Sequence, residues 1–236
     1  MRGLYSFAAA FGSLAILLCS LRQTQAQDPS ALRRALDEAG VAAVFPEDAA
    51  YANASTAYNL RYTIDPIVIA YPTTAEQVGA AVLAGAEQGL AVTARSGGHS
   101  YVAGGLGGKN GSLVVDMSNF KAIVVDEATN TVEVGAASRL GDVACVLNDY
   151  GRALPHGRCT TVGVGGHATG GGYGHHSRMW GLLLDRIVSG TVVLGNGSVI
   201  TVSDDEHREL FWGIRGAGAS LGIVTSFVLA TEPAPP

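Results

Sequence analysis

Two glycine-framed segments decide how this chain is read: Arg95-Ser96-Gly97-Gly98-His99-Ser100 and Gly157-Arg158-Cys159-Thr160-Thr161-Val162-Gly163. Glycine adopts positive φ without strain and lets main-chain N–H groups come close to a ligand. Successive N–H groups then form a concave site for an anion. Working outward from the first segment, Leu90-Ala91-Val92-Thr93-Ala94 is a strand that runs into it. Gly89 stops a helix that starts at a capping box, Thr73 with Glu76 or Thr74 with Gln77, and puts Val78, Ala81, Val82 and Gly85 on one face. Pro66-Ile67-Val68-Ile69-Ala70-Tyr71 is the apolar strand before that helix. Together they form a β-α-β unit whose second strand ends in the turn that carries His99.

The remaining elements alternate in the same way. Strands are predicted at Ser112 to Asp116, Ala122 to Val125 and Thr131 to Val134, the last two as a hairpin. Leu140 to Asp149 is a helix ended by Gly151. Arg186 to Leu194 and Val199 to Val202 are strands joined across Asn196-Gly197, a strong hairpin signal. Ser203 with Glu206 predicts a capped short helix through Leu210, Phe211 and Trp212, and Leu221 to Leu229 is the final strand. Ser30 to Ala39 reads as an amphipathic helix, followed by polar, irregular sequence to Arg61. The fold class is α+β, in two α/β lobes. Residues 27–60 form an N-terminal helix and irregular segment, 61–232 the domain, and 233–236 (Pro-Ala-Pro-Pro) a linker-like end.

The first residues have one cationic side chain, Arg2, and an apolar run from Leu4 to Leu21 that closes on Thr24-Gln25-Ala26. This is the form of a signal peptide over residues 1–26, and the apolar core Phe7 to Leu18 is short for a membrane anchor. Secretion is therefore expected, and the sequons at Asn53, Asn110 and Asn196 accord with it. The net charge of -5 argues against nucleic acid or an anionic membrane as a partner. Cys19 lies in the leader, which leaves Cys145 and Cys159. A disulfide is the default in an oxidising compartment. The spacing of Leu140 to Leu147, however, suggests that Cys145 is a free thiol on a buried helix face, and Cys159 is left to be accounted for.

Three other readings compete. Thirty-two glycines, clustered over Gly163 to Gly174, could reflect tight packing or a loose loop. Gly163-Val164-Gly165-Gly166-His167-Ala168 with Asp185 downstream matches a dinucleotide-binding fingerprint. That reading needs a buried strand before the glycines and a helix after them; Cys159 to Val162 is a poor strand, and Gly170-Gly171-Gly172 follows. A metal site is not expected, because His156, His167, His175 and His176 fit no standard zinc spacing. His175-His176 reads as lining a cleft or bonding the glycine loop.

Arg95-Ser96-Gly97-Gly98-His99-Ser100-Tyr101, Gly157 to His167, Gly170-Gly171-Gly172-Tyr173-Gly174, Leu183-Leu184-Asp185, Phe211 to Gly218 and Gly222-Ile223-Val224 together resemble berberine bridge enzyme-type flavoproteins. These belong to the vanillyl-alcohol oxidase superfamily with its PCMH-type FAD-binding domain. Tyr58-Asn59-Leu60-Arg61 and the run to His167 are most similar to the fungal glucooligosaccharide oxidases. The resemblance implies FAD bound through two covalent bonds, His99 to the flavin 8α-methyl carbon and Cys159 to ring carbon 6. It also implies that the amides of Ser96, Gly97, Gly98 and Ser100 form the pyrophosphate loop, with Arg95 among the cofactor-binding residues. Val162, Gly163, Gly166, His167, Gly171, Gly172 and Gly174 would lie along the cofactor, with Ile223 and Val224 as backbone contacts.

The activity implied is oxidation of a hydroxyl-bearing substrate, a mono- or oligosaccharide, with hydride passing to flavin N5 and O2 reduced to H2O2. Oxidative tailoring of a secondary metabolite and a non-catalytic flavin module are the alternatives. Members of the family continue into a substrate domain that supplies the sugar-binding surface and a tyrosine base, and this sequence contains neither. No catalytic residue is assigned, Tyr101 and Tyr173 included, and weak or absent turnover and an exposed apolar face are expected. Oligomeric state is not readable from the sequence.

Overall fold

The computed structural model describes residues 29–102 and 109–235. The leader, its cleavage site, Cys19 and Pro236 lie outside the described residues. The first lobe contains α1 (Pro29–Glu38), β1 (Ala42–Val44), α2 (Tyr51–Ala54), β2 (Val68–Tyr71), α3 (Ala75–Glu87), β3 (Val92–Arg95) and β4 (Leu113–Asp116). The β2-α3-β3 unit is the one the sequence predicts, but β4 is inserted between its strands, giving the sheet order β1-β2-β4-β3. β4 runs parallel to both neighbours and β1 is antiparallel to β2. Burial explains the order. Val68, Ile69, Ala70 and all of Leu113–Asp116 are buried, as central parallel strands require, whereas β3 is only partly buried and takes the edge.

Thr74 caps α3 by accepting from Gln77 N–H at 3.3 Å. The Gln77 carboxamide oxygen does not return to Thr74 but accepts from Thr73 N–H at 2.8 Å. Val78, Ala81, Val82 and Gly85 are buried, together with Leu32 and Leu36 of α1. The stretch read as irregular up to Arg61 holds β1 and the single turn of α2. Ala-Ala-Val is too short to show alternation, and β1 exists through its pairing with Ile69–Tyr71.

The second lobe contains β5 (Ile123–Asp126), β6 (Thr131–Gly135), α4 (Leu140–Asp149), β7 (Arg152–Ala153), α5 (Val164–Thr169), α6 (Ser177–Trp180), a 3-10 turn (Leu183–Arg186), β8 (Ile187–Val193), β9 (Val199–Ser203), α7 (Arg208–Ala217), β10 (Ile223–Ala230) and β11 (Glu232–Pro233). Both predicted hairpins form, and β10 enters between them to give the antiparallel order β5-β6-β10-β8-β9. Val134, Val143, Leu147, Val164, Phe211, Ile214 and Phe227 share one core. The lobes are joined by a common apolar seam, since Val193 and Ile223 pack into the core of the first lobe.

The structure corrects four details. Ser203 does not cap a helix: its hydroxyl accepts from Asp205 and Glu206 N–H at 3.2 and 3.1 Å in a local turn, and α7 begins after His207. Cys145 is exposed, not buried, because α4 turns Leu140, Val143 and Leu147 inward and leaves Cys145 on the outer side. Val164 to Thr169 is helical, although no strand precedes it. Pro233 pairs with Arg152, and Ala234 N–H bonds to Gly151 O at 2.8 Å, so the end read as linker is held down.

Candidate cofactor site

The turn after β3 is anchored at both ends. The Arg95 guanidinium donates to Asp116 Oδ2 at 2.6 Å through two nitrogens and to Ala54 O at 2.6 Å. This ties the start of the turn to β4 and α2. Ser96 Oγ donates to Ala136 O at 2.6 Å, which reaches the second lobe just beyond β6. At Gly97 the turn lies against Gly163. A Cβ built on Gly97 would lie 2.2 Å from Gly163 N, and one on Gly163 would lie 2.3 Å from Gly97 N. Only two glycines allow the two chains this close. Arg139, at the N-terminus of α4, fastens them: one guanidinium nitrogen donates to Gly97 O at 2.5 Å and to Thr161 O at 2.6 Å.

The two segments thus meet at one cavity of about 410 Å³ between the lobes. Arg95, Ser96, Gly97, Gly98, His99, Ser100, Cys159, Val162, Gly163, Gly166 and His167 line it, with Tyr58, Ala94 and Tyr101. Gly98 has φ +71°, the left-handed conformation for which glycine is suited. The His99 ring stacks on Tyr58 with centroids 3.9 Å apart, and its Nε2 is 2.8 Å from Thr161 Oγ1. Partial burial and the nearby Arg139 charge hold the His99 pKa below its ordinary value, so the ring is neutral at pH 7. His167 is held low by burial and by His156, and its Nε2 accepts from Gly157 N–H at 2.9 Å. Cys159 is a free, exposed thiol, as is Cys145.

Other residues singled out in the sequence lie elsewhere. Gly171 and Gly172 offer their carbonyls to Leu184 and Leu183 N–H at 3.0 Å, and a Cβ on Gly174 would lie 1.8 Å from His156 O. Gly172 and Gly174 serve close packing of the loop, Gly171 takes φ +120°, and all three are off the cavity wall. Ile223 lines a neighbouring cavity of about 310 Å³ that shares Ala94 with the first. Val224 is buried in the core of the second lobe, because adjacent strand residues point to opposite faces. Asp185 Oδ2 accepts from Leu182 N–H at 2.7 Å and closes a local turn, so it takes no part in a dinucleotide fingerprint. His175 and His176 line a separate cleft with His156 and Arg158. Among the described residues no group of three or more His, Cys, Asp or Glu side chains is placed to hold a metal ion. Leu60, Tyr173, Met179 and Trp212 are exposed apolar side chains.

The structure adds Tyr58, Arg139 and Thr161 to the site. Tyr58 and Thr161 stand in the quoted motifs without an assigned role, and nothing local in the sequence marks Arg139. The cavity fits a long, anionic cofactor. A second cavity that shares Ala94 lies beside it, glycine turns border it, and a Cβ on Gly166 would meet nothing within 4 Å.

The profile of the FAD-binding domain family matches residues 66–203. A xylooligosaccharide oxidase of Thermothelomyces thermophilus is 44% identical over 216 residues, covering 89% of this chain and 44% of the relative. A chitooligosaccharide oxidase of Gibberella zeae is 48% identical over 182 residues, covering 76% of this chain and 37% of the relative. Among solved structures, a glucooligosaccharide oxidase from Acremonium strictum, described as carrying a 6-S-cysteinyl, 8α-N1-histidyl FAD, superposes with a TM-score of 0.83 at 39% identity. That match covers 87% of this chain and 43% of the other. The chain spans less than half the length of these relatives. On sequence and fold together, it belongs to the FAD-binding domain family, in its berberine bridge enzyme-like, PCMH-type branch.

Proposed function

We propose that this chain is the flavin-carrying part of a secreted oxidase of mono- or oligosaccharides, with FAD attached to both His99 and Cys159. The observation that carries the reading is the convergence of the His99 and Cys159 turns on one cavity. The double attachment described for the Acremonium strictum enzyme, and the oligosaccharide oxidase names of the relatives, support it. Secretion is supported by the apolar leader and cleavage-site pattern of residues 1–26.

When bound, FAD would supply at N5 a two-electron acceptor for hydride from a sugar C–H, with O2 as the terminal oxidant and H2O2 as its product. The protein's part is to hold and tune it. Main-chain N–H groups of the Ser96–Ser100 turn are suited to the pyrophosphate. His99, neutral and stacked on Tyr58, presents a ring nitrogen for attachment. The Cys159 thiol provides the second attachment point, and Val162, Gly163 and Gly166 leave room beside it. No side chain of this chain is assigned as the base that takes the substrate hydroxyl proton.

The test is intact mass and visible absorbance of the secreted protein after acid denaturation. The expected result is a mass gain of one FAD, less two hydrogens for each bond formed. It should persist in the single variants His99→Ala and Cys159→Ala and vanish in the double variant. Cys159→Ala should also lower the flavin potential. Colourless protein without the increment refutes the reading. Oxygen-dependent peroxide release with cello- or malto-oligosaccharides separates an oxidase from a flavin-binding module without turnover.

A further inference from the structure

We propose that Thr161 is a positioning residue for flavin attachment: its hydroxyl occupies Nε2 of His99 and so reserves Nδ1 for the 8α-N1 type of linkage described for the Acremonium strictum relative. The inference rests on the reading that His99 carries the flavin. A carbon can join an imidazole nitrogen only along the in-plane direction of its lone pair. At Nε2 that direction is taken by Thr161 Oγ1, 2.8 Å away. Among the described residues no hydrogen bond engages Nδ1. Ring rotation cannot bring Nδ1 to Thr161, because a half-turn about Cβ–Cγ exchanges Nε2 with Cε1 and Nδ1 with Cδ2, and the stack on Tyr58, with centroids 3.9 Å apart, holds the ring plane. Nor can Thr161 drift from the turn that holds His99, because one Arg139 nitrogen bonds Thr161 O and Gly97 O together.

A neutral imidazole has one N–H and one lone pair, so a free Nδ1 lone pair puts the proton on Nε2, donating to Thr161 Oγ1. In the attachment, the Nδ1 lone pair joins the 8α carbon. One methyl C–H and the Nε2–H are given up, and the two electrons pass through the flavin to O2. Nε2 then has a lone pair in place of its proton. A threonine hydroxyl serves both states, first accepting from Nε2–H and afterwards donating to Nε2.

The experiment compares wild type, Thr161→Val and Thr161→Ser in the full chain, mapping flavin-linked peptides by mass after acid denaturation and digestion. Flavin on the His99 peptide should fall about tenfold in Thr161→Val, the size expected for loss of one such hydrogen bond. The Cys159 bond should remain, and Thr161→Ser should restore the His99 bond. In parallel, ¹⁵N-histidine spectra of the flavin-free wild-type chain should show the His99 proton on Nε2. This measurement decides the matter even where Thr161→Val does not fold. Wild-type attachment in Thr161→Val, loss of it in Thr161→Ser, or a proton on Nδ1 overturns the proposal. Absence of flavin from both peptides in wild type instead refutes the underlying reading and leaves the tautomer measurement standing.

Discussion

Replacing Gly97 by alanine tests the close approach on which the site depends. The new Cβ would sit 2.2 Å from Gly163 N, 2.6 Å from Arg139 Nη1 and 2.7 Å from Gly163 Cα, two of them main-chain atoms that cannot swing aside. To reach ordinary contact at 3.4 Å the two turns must part by about 1.2 Å. That movement takes the Arg139 bond to Gly97 O, now 2.5 Å, beyond hydrogen-bonding range. Overpacking of this kind costs about 1–3 kcal/mol, and a bond to a charged donor adds about 1.5 kcal/mol. For a chain of this size the sum lowers the melting temperature by roughly 5–15 °C. The same displacement draws His99 away from the Cys159 turn, so the doubly attached fraction should fall while singly attached species rise. The control is Gly98→Ala, whose Cβ meets only Arg95 side-chain carbons at 3.7 and 3.9 Å. It carries the strain of φ +71°, about 1 kcal/mol, but should leave the turns together. Thermal unfolding followed by circular dichroism and peptide mapping read the two effects. A Gly97→Ala chain that melts with wild type and bears both bonds would refute the close approach.

Gly166→Ala should separate folding from cofactor binding. Alanine improves α5 by about 1 kcal/mol, while its methyl enters the cavity, so the flavin-free chain should melt no lower as flavin loading drops; normal loading would show that Gly166 does not face the cofactor. Asp116→Asn removes the partner of Arg95 at a site where the two side chains are only 9% and 12% exposed. It should cost about 3 kcal/mol in urea unfolding, and a loss below 1 kcal/mol would deny the pair its anchoring role. The His167 pKa is lowered in the fold by burial and then by His156, so the unfolded chain binds more protons in acid. Stability from this group is complete above the unfolded value near pH 6.5 and is lost as pH falls toward the folded one. Protonation also turns the acceptor at Gly157 N–H into a donor. Acidification from pH 7.5 to 5.5 should therefore lower the melting point more in wild type than in His167→Gln; equal losses would locate the acid sensitivity elsewhere.

What the sequence by itself determined is local. The alternation and apolar runs named most helices and strands to within a few residues, because side-chain period depends only on neighbours along the chain. Gly89 and Gly151 end their helices with φ +64° and +62°, as stop signals do. The motif resemblance named the FAD-binding family and the two turns that meet at one cavity, since it compares residue types in order. Where a choice depended on distant partners, local pattern failed. Ser203 closes a turn in place of capping a helix, and Cys145 lies on the outer face of α4. Tertiary structure alone decided that β4 lies between β2 and β3, because burial on both faces favours the most apolar strands at the centre. It also decided that Ile223 reaches a cavity while Val224 enters the core, that Gly97 meets Gly163, and that Arg139 fastens the His99 turn to Thr161. All depend on residues far apart in sequence, and the meeting of Gly97 with Gly163 exists only once both lobes have packed on their shared seam.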